Sequence, residues 1–197
     1  METNPIRVCE LLVGLPEVNV LGVEDEAGGP IRVHVETRGP RPRCPGCGGP
    51  GWVKDRARVE LVDLPAFGRP ARLVWHKGRR SCPRAVCTVG SWTEVDVRIG
   101  APRLALTDRA ARWVTFQVGR CGRTVAEVAR ELGCDWHTVN DAVIAYGEAL
   151  IDDDPARIGI VTALGLDETL FCRQGPWRTQ AWCTSIVDVR AGVLLDV

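Results

Sequence analysis

Hydrophobic and polar residues alternate along much of the first hundred residues and then change to a helical period. Two β-rich runs, at 18–23 and 31–36, lie on either side of an acidic, glycine-containing loop, which predicts a hairpin. From 103 to 150 apolar residues recur at intervals of three and four, and Pro and Gly become rarer. After residue 156 the pattern favours strands again. The sequence thus predicts an α+β multi-domain protein.

The changes of pattern divide the chain into four segments. A Pro/Arg/Gly break at 39–43 ends the first segment, and proline and glycine punctuate the second, whose short β-like runs lie between and after paired cysteines. We predict an N-terminal β-hairpin segment (1–40), a β-rich module (41–99), a helical domain (103–150) and a strand-rich segment (156–197).

Four of the nine cysteines are paired in sequence. Cys44-Pro-Gly-Cys47 is a knuckle with two intervening residues, and Cys82 and Cys87 form a looser pair. In a reducing compartment such pairs indicate a metal site rather than disulfides, and four thiolates make a closed, structural site. We therefore predict structural Zn²⁺ held by Cys44, Cys47, Cys82 and Cys87, which would stabilise a module with little core. Four ordinary reduced cysteines are the alternative.

The helical segment has the pattern of a helix-turn-helix. Thr124-Val-Ala-Glu127 is a capping box, and Gly133 stands where the chain must turn through a positive backbone angle. Asp135 is placed to cap the second helix, and a helix over about 107–118 completes a three-helix domain. A helical hairpin that binds nothing is the alternative.

In a helix-turn-helix that enters the major groove, the first turns of the second helix read the bases. Asn140 is the best candidate for a base contact because an amide pairs bidentately with adenine. Trp136 is expected to serve packing rather than intercalation, and arginines before the capping box are placed to contact phosphate. The candidate DNA-binding residues are Arg79, Arg80, Arg120, Arg123, Trp136, His137, Thr138, Asn140 and Asp141.

A net charge of zero conceals a basic block. Residues 38–87 carry twelve Lys or Arg and three acidic residues, whereas residues 1–37 carry two Arg and seven acidic residues. Such a block is typical of a phosphate-binding surface, and a solvated basic face is the alternative. His34 and His76 do not have ligand spacing, so we interpret both as strand residues. No apolar run is long enough to span a membrane and no signal peptide is recognisable, so we expect a cytoplasmic protein without a membrane partner.

An acidic pair follows the first strand predicted in the last segment. Mg²⁺-dependent phosphoryl-transfer sites present their first ligand at the end of an apolar strand, as Asp167 would. An Asp-Glu pair after a strand is also an ordinary turn, and Asp188 has the context of a hairpin turn. The predicted strands are 158–166, 180–188 and 193–197.

This arrangement resembles the ISL3 family of insertion-sequence transposases over essentially the whole chain. The resemblance rests on the opening hairpin, the Cys44 knuckle, Arg79-Arg80-Ser81-Cys82 with its return to Cys87, the helix-turn-helix, and Leu166-Asp167-Glu168. It implies a ribonuclease-H-like domain whose Asp-Asp-Glu triad binds two metal ions, with Asp167 at the first triad position. It also implies that double-stranded DNA, at the terminal inverted repeats, is the partner.

The end of the chain at Val197 falls where the third strand of that domain would finish. We expect an incomplete ribonuclease-H-like α/β domain that lacks two of three carboxylates and is inactive alone, as in a truncated copy, a frameshifted copy or a fragment. Mg²⁺ is expected only for a complete catalytic domain. The alternative function is a stand-alone helix-turn-helix/zinc regulator or transposition inhibitor, and a homodimer is left open. A zinc hydrolase is disfavoured because the expected ligands are all thiolates.

Overall fold

The computed structural model describes residues 2–151 and 154–197. It separates into two compact units, Met1–Glu148 and Ala149–Val197. The elements are α1 (Pro5–Val13), β1 (Val18–Asp25), β2 (Ile31–Thr37), β3 (Trp52–Ala66), β4 (Arg69–Ser81), β5 (Ser91–Thr93), α2 (Asp108–Gly119), α3 (Val125–Leu132), α4 (Trp136–Ile151), β6 (Leu164–Gln174), β7 (Thr179–Asp188) and β8 (Val193–Asp196).

A five-stranded sheet dominates the first unit. Its strand order is β1-β2-β4-β3, and the short β5 pairs with β4. The predicted hairpin is confirmed, because β1 and β2 pair antiparallel. β3 and β4 are a second, much longer antiparallel hairpin, whose two turn residues Phe67 and Gly68 both have positive φ, as a tight hairpin turn requires. Parallel pairing of β2 with β4 brings the first and second predicted segments into one sheet.

Two hydrophobic core clusters hold the first unit together, and one of them joins the helices to the sheet. One core cluster fills a face of the sheet around Val35, Leu73 and Trp75. The second cluster joins the three later helices and also includes Val62 of β3. The backbone N–H of Val62 donates to the Ala105 carbonyl at 2.7 Å, and its carbonyl accepts from the N–H of Thr107 at 3.0 Å. The helices are therefore fastened to the sheet by backbone hydrogen bonds as well as by apolar contact.

The helices form as the sequence predicts. Thr107 caps α2, and its side chain accepts from the N–H of Ala110. The capping box of Thr124 and Glu127 is present at α3, which ends at Gly133 in the left-handed conformation with φ of 62°. The Asp135 carboxylate accepts the N–H of Thr138 at 2.9 Å in the first turn of α4. The predicted helix-turn-helix geometry is therefore confirmed.

The second unit is a three-stranded antiparallel meander, in the order β6-β7-β8. The predicted strand at 158–166 is wrong, because β6 runs from Leu164 to Gln174. The tight turn between Gln174 and Thr179 sets the register of the hairpin and places Leu164 opposite Asp188. The other two predicted strands match β7 and β8 closely.

Candidate DNA-binding surface and cysteine cluster

Four thiols converge on one point of the first unit. The sulfur atoms of Cys44, Cys47, Cys82 and Cys87 all lie within 4.8 Å of one another. The Sγ–Sγ distance is 3.7 Å from Cys44 to Cys87 and 3.6 Å from Cys47 to Cys82. A bonded disulfide would bring two sulfurs to about 2.05 Å, whereas Zn–S bonds of about 2.3 Å in a tetrahedron leave them about 3.8 Å apart. The spacing fits a four-thiolate metal site.

The backbone of the first knuckle is arranged to favour a thiolate. Burial opposes ionisation of Cys44, but the N–H groups of Cys47 and Gly46 donate toward its sulfur and lower its pKa to about 7. At Cys82 the N–H of Arg84 also favours the thiolate. Burial and the neighbouring sulfurs outweigh this effect and raise the pKa of Cys82 to about 12. Four sulfurs this close would all ionise only with a cation among them.

Close packing leaves no room for a side chain in the knuckle. A Cβ atom added to Gly46 would lie 2.7 Å from Cγ2 of Val89 and 3.4 Å from the Cys87 sulfur. Glycine is therefore needed here because the second cysteine pair approaches the first knuckle directly. The loop that carries Cys87 therefore packs directly against the Cys44–Cys47 knuckle.

The two arginines before Cys82 have different surroundings. Arg79 is exposed. Arg80 is 9% exposed, and its Nη2 lies 3.3 Å from the carboxylate of Glu94, which is 8% exposed. The prediction that Arg80 contacts DNA does not fit this placement, because strand alternation turns its side chain into the module, where it neutralises Glu94.

The first turns of α4 present the predicted reading residues at the surface. His137 and Asp141 are exposed and Asn140 is half-buried. Trp136 is 46% exposed and packs edge-on against the His137 ring, with centroids 5.3 Å apart. Trp136 therefore packs at the surface, outside the buried stripe of α4, which begins at Val139.

Thr138 differs from its neighbours on α4. Its hydroxyl donates to the second oxygen of Asp135 at 2.8 Å, so it belongs to the helix cap. Hydrogen bonds from Thr138, first from its N–H and then from its hydroxyl, lower the pKa of Asp135. Because the Thr138 hydroxyl donates its proton to Asp135, it can contact a base edge only as a hydrogen-bond acceptor.

The arginines before α3 also differ from each other. Arg120 is exposed at the end of α2. Arg123 is half-buried, and its guanidinium donates to Glu131 at 2.6 Å and to Gln117 at 3.1 Å. Among the residues that the structure describes, Arg120 forms no ion pair, whereas the charge of Arg123 is partly balanced by Glu131.

Arg72 was not a candidate from the sequence, but it holds the turn of the helix-turn-helix. Its guanidinium donates to the backbone carbonyls of Leu132, at 3.1 Å, and Gly133. A Cβ added at Gly133 would lie 2.8 Å from Cγ of Pro70. These contacts dock the turn against β4. Arg72 lies in a strand of alternating polar and apolar residues, and nothing in this sequence pattern indicates a contact with the turn of the helix-turn-helix.

The carboxylate predicted as a catalytic ligand lies inside a strand. Asp167 is exposed, is the fourth residue of β6 and pairs with Ser185 of β7. Asp188 is buried at the end of β7 and accepts the N–H groups of Arg190, at 2.9 Å, and Ala191. Asp188 is therefore the hairpin-turn residue that the sequence predicts, and the expected placement of Asp167 after a strand is wrong.

Residues 101–147 match the family model for the helix-turn-helix domain of transposase family ISL3. This part of the chain is similar to the helix-turn-helix domain of ISL3-family transposases. This ISL3 helix-turn-helix spans α2, α3 and most of α4, so the exposed face described above belongs to the matched domain. No curated protein and no solved structure matches the chain significantly.

The match makes the helical domain similar to a DNA-binding type of domain found in transposases. The cysteine cluster and the second unit lie outside the matched residues. Among the helices of the described residues, none is long and apolar enough to cross a membrane.

Proposed function

We propose that this chain binds the terminal inverted repeats of an ISL3-type insertion sequence and thereby positions a transposase on the ends of its element. The match of residues 101–147 to an ISL3 helix-turn-helix supports double-stranded DNA as the partner. Because inverted repeats present the same sequence twice, two copies of the chain would bind one element, as a homodimer or as separate monomers.

The observation that carries this proposal is the surface of α4 within the matched domain. Its first two turns expose Trp136, His137 and Asp141, while Val139 and Ala142 on the opposite side are buried in the helical core. Asn140 lies at the border of the exposed face, where an amide can pair with adenine in the major groove. Exposed Arg120 would contact phosphate beside this helix, and Arg79 would do so from the sheet.

We propose that the four-cysteine cluster holds structural Zn²⁺. Four thiolates at tetrahedral spacing are the ligand set that zinc favours, and such a closed set leaves no position for a catalytic water. Bound zinc would fix the end of the β3–β4 hairpin on which Arg79 is carried. The metal would therefore act on DNA binding through the fold rather than through chemistry.

For the second unit we propose the start of a ribonuclease-H-like domain, in which Asp167 is a metal ligand only when further carboxylates join it. Neighbouring Asp167 and Glu168 alternate to opposite faces of β6. The carboxylate of Asp188 is already engaged by its own turn. Two-metal catalysis needs carboxylates that converge on both ions, so we propose that these 197 residues do not cut DNA alone.

Sequence selection tests the proposal. The zinc-loaded chain is used to select duplexes from a library with a random core, and the enriched sequence is compared with the DNA around its coding region. We expect one enriched sequence that occurs at both ends of the element in inverted orientation. Enrichment of a single upstream site would favour a regulator instead. No enrichment, with equal binding to all duplexes, would contradict sequence-specific recognition.

A further inference from the structure

The first half of β3, residues 52–58, forms an exposed edge of the sheet, the β3 ribbon. Residues 52–58 are exposed at every position, whereas β3 is buried from Leu61 to Asp63, where it enters the core. β3 is the last strand of the sheet, and among the described residues its segment 52–58 pairs with β4 alone. Both faces of this half-strand and its free edge are therefore open to a partner.

This edge is cationic. Lys54, Arg56 and Arg58 are exposed, and within the described ranges 2–151 and 154–197 none of the three forms an ion pair. The one acidic residue among them, Asp55, accepts the backbone N–H of Arg56 at 2.7 Å. Unpaired, exposed charges of one sign along a strand are suited to an anionic partner and discourage pairing with a second copy of the same strand.

The other half of β3 packs in the helical domain that contains α4. Val62 lies in the core of the helices and forms a β-bridge with Leu106. Arg56 precedes Val62 by six residues, which corresponds to about 20 Å along a strand. One turn of DNA is about 34 Å long. The cationic edge therefore begins less than one turn of DNA away from the point where β3 enters the core of the helices.

We propose that residues 52–58 are a second DNA-contact surface, which binds the phosphate backbone of the duplex beyond the bases read by α4. This inference rests on the proposed DNA-binding function and extends it. Contacts from flexible cations to phosphate carry no sequence information but lengthen the bound segment and make binding sensitive to salt. The ribbon would thus increase affinity for all duplexes, while α4 selects among them.

The test uses the full chain and a random-sequence duplex of about 30 bp, with binding measured between about 50 and 200 mM salt. The variant is Arg56→Gln with Arg58→Gln. We expect weaker binding and a slope of log K against log salt that is smaller in magnitude by about 1.8, since each phosphate contact contributes about 0.9. On a duplex of about 10 bp, which covers one helix-turn-helix half-site, the variant and the wild type should differ much less.

A matched control removes the same charge elsewhere in the first unit. Arg7→Gln with Arg98→Gln replaces two exposed arginines that are each paired with acids of the fold. Zinc content and melting temperature are compared for all three proteins. A ribbon variant that binds like the wild type, or a control pair that loses as much affinity, would overturn the proposal. Because the duplex is random, this result is independent of whether the sequence selection described above succeeds.

Discussion

Arg109 at the start of α2 donates to the buried carboxylate of Asp63 in β3 through both Nε, at 2.8 Å, and Nη2. The hydroxyl of Thr107 donates to the same carboxylate at 2.7 Å. A third guanidinium nitrogen of Arg109 donates to the carbonyl of Val13 at the end of α1. One ion pair therefore joins the sheet, the first helix of the helical domain and the N-terminal helix, and it fixes the helical domain on the sheet.

Replacing Asp63 with Ala should cost about 3 kcal/mol in the free energy of unfolding, because it leaves a largely buried guanidinium without its counter-charge. Urea unfolding of the full zinc-loaded chain, followed by tryptophan fluorescence, measures the change. The control is Arg112→Ala, which breaks the exposed pair with Asp108 and should cost no more than about 1 kcal/mol. Equal losses in the free energy of unfolding would show that the Asp63–Arg109 pair stabilises the fold no more than an exposed ion pair does.

Gly133→Ala should destabilise the helix-turn-helix by about 1–3 kcal/mol. The new Cβ would be strained at a φ of 62° and would collide with Pro70. DNA affinity should fall in the same variant, since the turn would move away from β4. Gly147→Ala is the matched control, because open space surrounds this α4 residue and alanine favours the helix by about 0.5–1 kcal/mol. Thermal melting should therefore shift in opposite directions for the two variants.

Cys44→Ser should abolish stoichiometric zinc binding and lower the melting temperature of the first unit. Three thiolates and a hydroxyl hold zinc far more weakly than four thiolates, and the folding energy that the metal supplies is lost with it. Metal analysis of the purified chain and calorimetry measure the two effects. Cys121→Ser is the control, since Cys121 is exposed and lies outside the cluster. Unchanged zinc content in Cys44→Ser would contradict the assignment of the site.

Asn140→Ala should weaken binding to the selected sequence by about 1–3 kcal/mol, or roughly 5- to 150-fold, and leave binding to random DNA nearly unchanged. The loss should be confined to one adenine position, which a panel of single-base changes identifies. Gln174→Ala, which removes an amide from the second unit, serves as the control. If Asn140→Ala weakened binding to every duplex equally, the side chain would not be reading a base.

Local chemistry made much of this fold predictable. Three features that depend only on residues close in sequence are present where the sequence predicts them. They are the capping box of Thr124, the left-handed conformation of Gly133 and the helix cap at Asp135. The clustering of the four cysteines could also be predicted, because metal-ligand pairs are recognisable by spacing alone. The first strand of the second unit could not, since its register depends on a turn that follows it in the chain.

The parts of the site that depend on long-range packing escaped prediction. Arg72 and Asp63 act on the helix-turn-helix from the sheet, across sixty and forty-four or more residues of sequence. Arg80 and Arg79 are neighbours in sequence, yet strand alternation buries one and exposes the other. Charge density identified the basic block, but only the pairing of β3 with β4 shows which of its cations lie on an open edge.

The pH dependence of stability should carry a contribution from His76. Burial first, and then the charges of His34, Arg58 and Arg56, lower the pKa of His76, while Glu36 acts in the opposite sense. Its Nε2 lies 2.9 Å from Nδ1 of His34, a contact that needs one of the two nitrogens unprotonated. Since the unfolded chain binds this proton near pH 6.5 and the folded chain does so only at lower pH, stability should fall as the pH drops below about 6.5.

His76→Gln should reduce that fall, because glutamine keeps a polar partner for His34 but does not titrate. Urea unfolding of the wild type and the variant at several values from about pH 7.5 to 5.5 measures the difference. Zinc content is determined at each pH, so that loss of metal from the thiolates is separated from titration of the histidine. Identical declines in the two proteins would assign the acid sensitivity to the cysteine cluster or to other groups instead of His76.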